Sequence, residues 1–142
     1  MLITQFTTTI PQDTCINGDY MVQDFKQLMV WQKSHEFTLA IYKVTVNFPI
    51  SEQYSLVSQL RRASSSIGAN ISEGCGRKTQ KDFANFLHNA LGSCKECENH
   101  LMLSKDLGYL KENEFIELKG HIEEIGKMLN SFIQSVSKTA KP

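Results

Sequence analysis

SEQYSLVSQLRRASSSIGANISEGCGRKTQK, residues 51–81, decides how this chain folds. Leu56, Leu60, Ala63, Ile67 and Ile71 recur at steps of three and four, the apolar stripe of an amphipathic helix. Ser51 is placed to cap that helix, with Glu52 near the positive end of the helix dipole. Gly74 and Gly76 are expected to end it, because glycine enters the left-handed region readily at a helix C-terminus. Thr79 then caps the next helix, with Asp82 following as the shorter acid of a capping box. A helix, a glycine break and the start of a second helix therefore lie within one stretch.

The same periodicity continues on both sides. Val30, Ser34, Phe37, Ile41, Val44 and Phe48 predict a helix from about Leu28 to Asn47. Pro49 stops it, since proline disfavours helical geometry in the residue before it. Phe83, Leu87, Ala90, Cys94, Cys97, Leu101 and Ser104 form the seam of the third helix, which Gly108 closes. Phe115, Leu118, Ile122, Ile125, Leu129, Phe132 and Val136 mark a fourth helix starting near Glu112. Short links between long helices force antiparallel neighbours. The expectation is an all-α fold, an antiparallel up-down-up-down four-helix bundle over residues 25–138. Residues 1–24, rich in Thr and helix breakers, read as a flexible N-terminal tail, and 139–142 as a C-terminal tail. Met1 and Met21 are both candidates for the natural start of translation.

At 142 residues the chain is expected to form one domain. Proline occurs only at Pro11, Pro49 and Pro142, which suits long helices. Fifteen basic and fifteen acidic side chains cancel. That balance argues against indiscriminate nucleic-acid binding but leaves room for a local site. No stretch approaches the roughly 18 apolar residues of a membrane span. The first twenty residues carry neither a basic start nor an apolar core, so no signal peptide is expected. Cys15, Cys75, Cys94 and Cys97 are accordingly expected to be reduced, in a cytoplasmic protein.

Familiar catalytic patterns are missing. Glu-x-x-His, the ligand pair of bundle di-metal sites, does not occur. Glu96 with His100 and Glu117 with His121 are spaced four apart and read as surface contacts. Cys94 and Cys97 have C-x-x-C spacing, but they lie on an apolar seam rather than at a helix N-terminus that would activate a thiol. Ser64, Ser65 and Ser66 have no evident His-acid partner, and Gly74-Cys75-Gly76 lacks P-loop spacing. His35 and His88 read as surface or interhelical hydrogen-bonders. No enzyme activity, cofactor or metal is expected.

VWQKSHEF (30–37), SQLRRASSSIGANISEGCGR (58–77), KDFANFLHNALGS (81–93) and LSKDLGYL (103–110) together resemble a family. It is the four-helix-bundle proteins encoded by intervening sequences in bacterial 23S ribosomal RNA genes. The resemblance runs from Phe25 to about Val136. That family is similar to the accessory protein of diversity-generating retroelements, a barrel of five bundles that binds nucleic acid through basic residues and partners a reverse transcriptase. The resemblance implies a bacterial homo-oligomer, a pentamer, with a nucleic-acid role and a polymerase-type partner. Gly68 stands where the family usually has proline, and Gln27 where it usually has Asp before Leu28. The first departure leaves room for a kink or close helix contact; the second weakens the cap of the first helix.

Two readings attach to the second helix. Arg61, Arg62, Arg77, Lys78 and Lys81 outnumber Glu52 and Glu73 there and read as a phosphate-binding strip. Lys78 and Lys81 flank a helix N-terminus, a natural place for an anion. Gln59, Arg62, Ser66, Asn70, Glu73 and Arg77 share one face. Gln59, Asn70 and Glu73 read alternatively as a polar network or subunit contact, with Trp31 packing at a bundle edge or between subunits. Arg62 and Glu73 are too far apart on one helix to pair directly. Gly92, without a capping role, suggests a tight helix crossing. The leading expectation is a non-enzymatic oligomer binding RNA or DNA without base-specific readout. The alternative is a protein-interaction scaffold, or an accessory subunit of a reverse transcriptase, that does not touch nucleic acid.

Overall fold

The computed structural model describes residues 15–16, 19–20 and 24–139. Four long helices form the body: α1 (Met29–Thr45), α2 (Leu56–Cys75), α3 (Gln80–Asp106) and α4 (Glu112–Thr139). Before them, β1 (Cys15–Ile16) pairs antiparallel with β2 (Asp19–Tyr20), Cys15 opposite Tyr20. The rest of the predicted N-terminal tail, and residues 140–142, lie outside the described residues. The chain is all-α in architecture, and each helix packs on the next while α1 also packs on α4.

Periodicity places the core correctly. The α2, α3 and α4 stripes are buried along their whole predicted length, from Leu56 to Ile71, Phe83 to Ser104 and Phe115 to Val136. In α1 the seam drifts: Val44 is only half-buried and Thr45 is buried in its place. The buried hydroxyls satisfy themselves locally. Ser34, Thr45 and Ser104 donate to the carbonyls of Val30 (2.6 Å), Ile41 (2.7 Å) and His100 (2.7 Å), four residues back. A small polar side chain can thus sit on an apolar seam without leaving a donor unpaired.

The ends of the helices differ from expectation in instructive ways. Ser51 does not cap α2. Residues Ile50–Glu52 form a short 3-10 turn, and α2 starts at Leu56. Glu52 does the capping from outside: its Oε2 accepts from Ser55 Oγ (2.6 Å) and from the Leu56 amide (3.4 Å). Gly74 and Gly76 do not take the left-handed conformation; Gly76 has φ −87. Gly74 is needed for space. A Cβ built there would lie 2.7 Å from Phe83 Cδ2 and 3.0 Å from Phe86 Cβ. Gly92 marks no crossing, since a Cβ there would meet nothing within 4 Å.

Two predicted caps are present. Thr79 Oγ1 accepts from the Asp82 amide (3.1 Å) at the start of α3. Gly108 closes α3 with φ +79. Its amide donates to the Lys105 carbonyl and that of Tyr109 to the Ser104 carbonyl, both at 2.9 Å, a Schellman closure.

Contacts across the helices fix which ends meet. Trp31 lies against Gly68, while Thr45 bonds Arg61, so the end of α1 neighbours the start of α2. Phe83 packs edge-on against Phe132 at 5.4 Å, bringing the last turns of α4 beside the start of α3. Phe48 packs on Tyr109 at 5.4 Å, so the α1–α2 and α3–α4 connections share the opposite end.

Candidate nucleic-acid interface

The expected strip does not stay together. Arg61 turns from solvent onto α1. Its Nε donates to Thr45 Oγ1 (3.0 Å), its Nη2 to the Tyr42 carbonyl (3.4 Å), and its guanidinium lies 4.6 Å from the Tyr42 ring centre. One residue further on, the helix has rotated by about 100°, and Arg62 stands exposed with no ion pair among the described residues. Arg77 follows fifteen residues later in sequence, about 22 Å away at 1.5 Å of rise per residue.

The structure does bring Arg77, Lys78 and Lys81 together at the bend between α2 and α3. Arg77 Nη2 donates to Glu73 Oε1 at 2.8 Å, and its guanidinium lies 4.5 Å from the Phe86 ring centre. Glu73 therefore finds its cation one turn along its own helix end. That settles the partner left open by its distance from Arg62. Lys78 and Lys81 are exposed and form no ion pair among the described residues. The bend is short because Thr79 both ends the loop and caps α3, so all three cations fall within one turn of a helix N-terminus.

One participant was not singled out from sequence. Phe86 is the platform under Arg77; its signal was an aromatic residue off the apolar stripe of α3.

On the polar face of α2 the bonds of Asn70 and Ser66 are local or reach α3. Asn70 Nδ2 donates to the Ser66 carbonyl (2.9 Å) and to Ser66 Oγ (3.1 Å). Ser66 Oγ meets Ser93 Oγ of α3 at 2.9 Å, and Ser93 donates on to the Asn89 carbonyl at 3.2 Å. Gln59 is exposed on the same face. Trp31 is half-buried at the edge of α1, edge-on to Phe25 (5.1 Å), stacked on His35 (4.9 Å) and against Gly68. A Cβ on Gly68 would come within 3.3 Å of Trp31 Nε1, so this glycine does mark a close helix contact.

No group of three or more His, Cys, Asp or Glu side chains among the described residues could hold a metal ion. Burial pushes the Cys94 thiol up to about 12 and, with Cys94 and nearby acids adding to it, raises Cys97 further. Both are inert at neutral pH. Glu96 and His100 correct the surface reading: His100 is buried, its Nε2 lies 3.5 Å from Glu96 Oε1, and its Nδ1 has no hydrogen-bond partner among the described residues. No helix among the described residues is long and apolar enough to cross a membrane.

Residues 26–131 match the family described as 23S rRNA-intervening sequence protein. The fold is similar to a crystal structure from Bacteroides thetaiotaomicron, a protein of unknown function from the S23 ribosomal protein family. The two share 33% sequence identity with a TM-score of 0.68, over 74% of this chain and 98% of the other. No curated protein matches the chain.

Proposed function

The chain belongs to the 23S rRNA-intervening sequence protein family, and from that premise we propose that it is a non-enzymatic nucleic-acid-binding protein of the cytoplasm. It acts as a homo-oligomer, a pentamer on the family resemblance, and holds RNA or DNA by its phosphates at the α2–α3 bend. The observation that carries this reading is the pair Lys78 and Lys81, exposed beside Arg77 and in no ion pair among the described residues.

Phosphate binding asks for cations that are accessible and pre-placed, and the bend supplies both. Phe86 and Glu73 hold the Arg77 fork in place, which lowers the ordering cost of a contact. Lys78 and Lys81 act as mobile point charges beside the α3 N-terminus. Assembly multiplies the cluster, so a chain of zero net charge still presents a strong local field. Arg61 is assigned to the α1–α2 seam rather than to the ligand, and Arg62 to an outlying contact. Recognition is of backbone charge rather than base sequence.

Binding of labelled RNA and DNA, single- and double-stranded, measured against salt concentration tests this reading. The change Arg77→Glu, Lys78→Glu and Lys81→Glu is expected to weaken binding at low salt by at least about tenfold and to flatten the log–log salt slope, which tracks the number of phosphates neutralised. Arg61→Gln is expected to leave that slope unchanged. Parental binding by the triple variant would overturn the assignment. A protein partner that survives nuclease treatment would favour the scaffold reading instead.

A further inference from the structure

The end of the bundle opposite the basic bend carries large apolar side chains held out in water. Tyr54 is 94% exposed, Ile50 88%, Val46 72%, Leu107 49% and Leu103 46%. They belong to the α1–α2 connection and the end of α3. Those segments are pinned side by side: Phe48 packs on Tyr109, and the Tyr109 hydroxyl donates to Glu52 Oε1 at 3.2 Å. Exposed apolar residues scattered singly need no explanation, but this set is confined to one end.

We infer that this apolar end is a self-docking surface, taken by the same end of a second copy of the chain across a two-fold axis. Area is the first argument. With large apolar residues presenting on the order of 150–250 Å² each, the exposed fractions amount to about 650 Å². That stands at the upper end of the roughly 300–600 Å² of the largest patch on an ordinary monomer and approaches the roughly 800 Å² per partner of a stable interface. Charge is the second. Lys43 and Lys111 stand around the patch with Asp106 and Glu112, all exposed and none in an ion pair among the described residues. A rim of both signs suits its own two-fold image, where each cation can face an acid of the other copy. A polyanion, or any partner of one charge sign, gains nothing from it.

This surface is remote from the bend that holds nucleic acid, so the two assignments stand or fall separately. Light scattering across a range of concentrations is expected to show the parent at twice the mass of the Ile50→Glu, Tyr54→Glu variant, whatever the subunit number of the smaller species. Far-UV circular dichroism checks that both are folded. Equal masses at every concentration would overturn the inference, including the case in which another protein covers the patch. Should the double variant misfold, Tyr54→Cys in a Cys15→Ser background provides the readout. Oxidation is expected to give covalent dimers on a non-reducing gel, because a residue near a two-fold axis meets its own copy. A purely monomeric gel would overturn the inference.

Discussion

The two ends of this bundle are built on opposite plans. At the α2–α3 bend the backbones close tightly: Gly74 admits Phe83 and Phe86 to near contact, Thr79 caps at once, and what reaches water is Arg77, Lys78 and Lys81. At the other end two longer connections meet, and a single carboxylate, Glu52, ties Ser55, Leu56 and Tyr109 together. What reaches water there is Ile50 and Tyr54. A close backbone turn leaves no room for large apolar groups and exports charge. A looser crossing, clamped by polar contacts, can hold apolar groups outward. Shape and surface chemistry thus divide along the long axis.

Substitutions can break that contrast in order of severity. Gly74→Val should hurt most, because a Cβ would have to displace the Phe83 ring from 2.7 Å. Overpacking of this kind costs about 1–3 kcal/mol, read as a lower urea midpoint. A midpoint equal to the parent's would show that the closure is looser than described. Thr79→Ala removes the α3 cap at the same end. It should cost about 1 kcal/mol, and Thr79→Ser should restore most of it.

Glu52→Gln addresses the other end and should have the smallest effect, visible mainly through pH. The Ser55 hydroxyl, with lesser help from the Leu56 amide and Tyr109, holds the Glu52 carboxyl below its ordinary value against burial, the second-largest influence. A carboxyl depressed in the folded state contributes stability above its unfolded pKa, and that contribution fades as pH falls through the folded value. Parent and variant should therefore differ at neutral pH and converge as the solution is acidified below the usual carboxylate range of about 4.3. A difference that persists at strongly acid pH would mean that charge on Glu52 is not what holds this end.

Much of the fold was legible because helix periodicity reports each helix's own buried face. The stripes of α2, α3 and α4 needed nothing else, and Thr79 and Gly108 act through neighbours a few residues away. The sequence was silent wherever the deciding partner lies far along the chain. Arg61 read as one of five equivalent cations until Thr45 and Tyr42 of α1 claimed it. Glu52 read as a dipole-favoured acid until Tyr109, fifty-seven residues on, bonded it. Gly74 and Gly92 are the same residue type in similar helical settings, and only tertiary packing makes one indispensable for space and leaves the other open. His100, four residues from Glu96, read as half of a surface pair because local spacing says nothing about what covers a side chain.

The buried sulfurs have a practical use. Cys75, Cys94 and Cys97 are free and shielded, with burial, aided at Cys75 by the charge of Asp24, pushing that thiol up to about 11. An alkylating reagent finds no thiolate in the closed bundle and must wait for the helices to part. The rate of labelling at these positions therefore clocks spontaneous opening of the molecule, and the order in which they react would reveal which helix pair separates first.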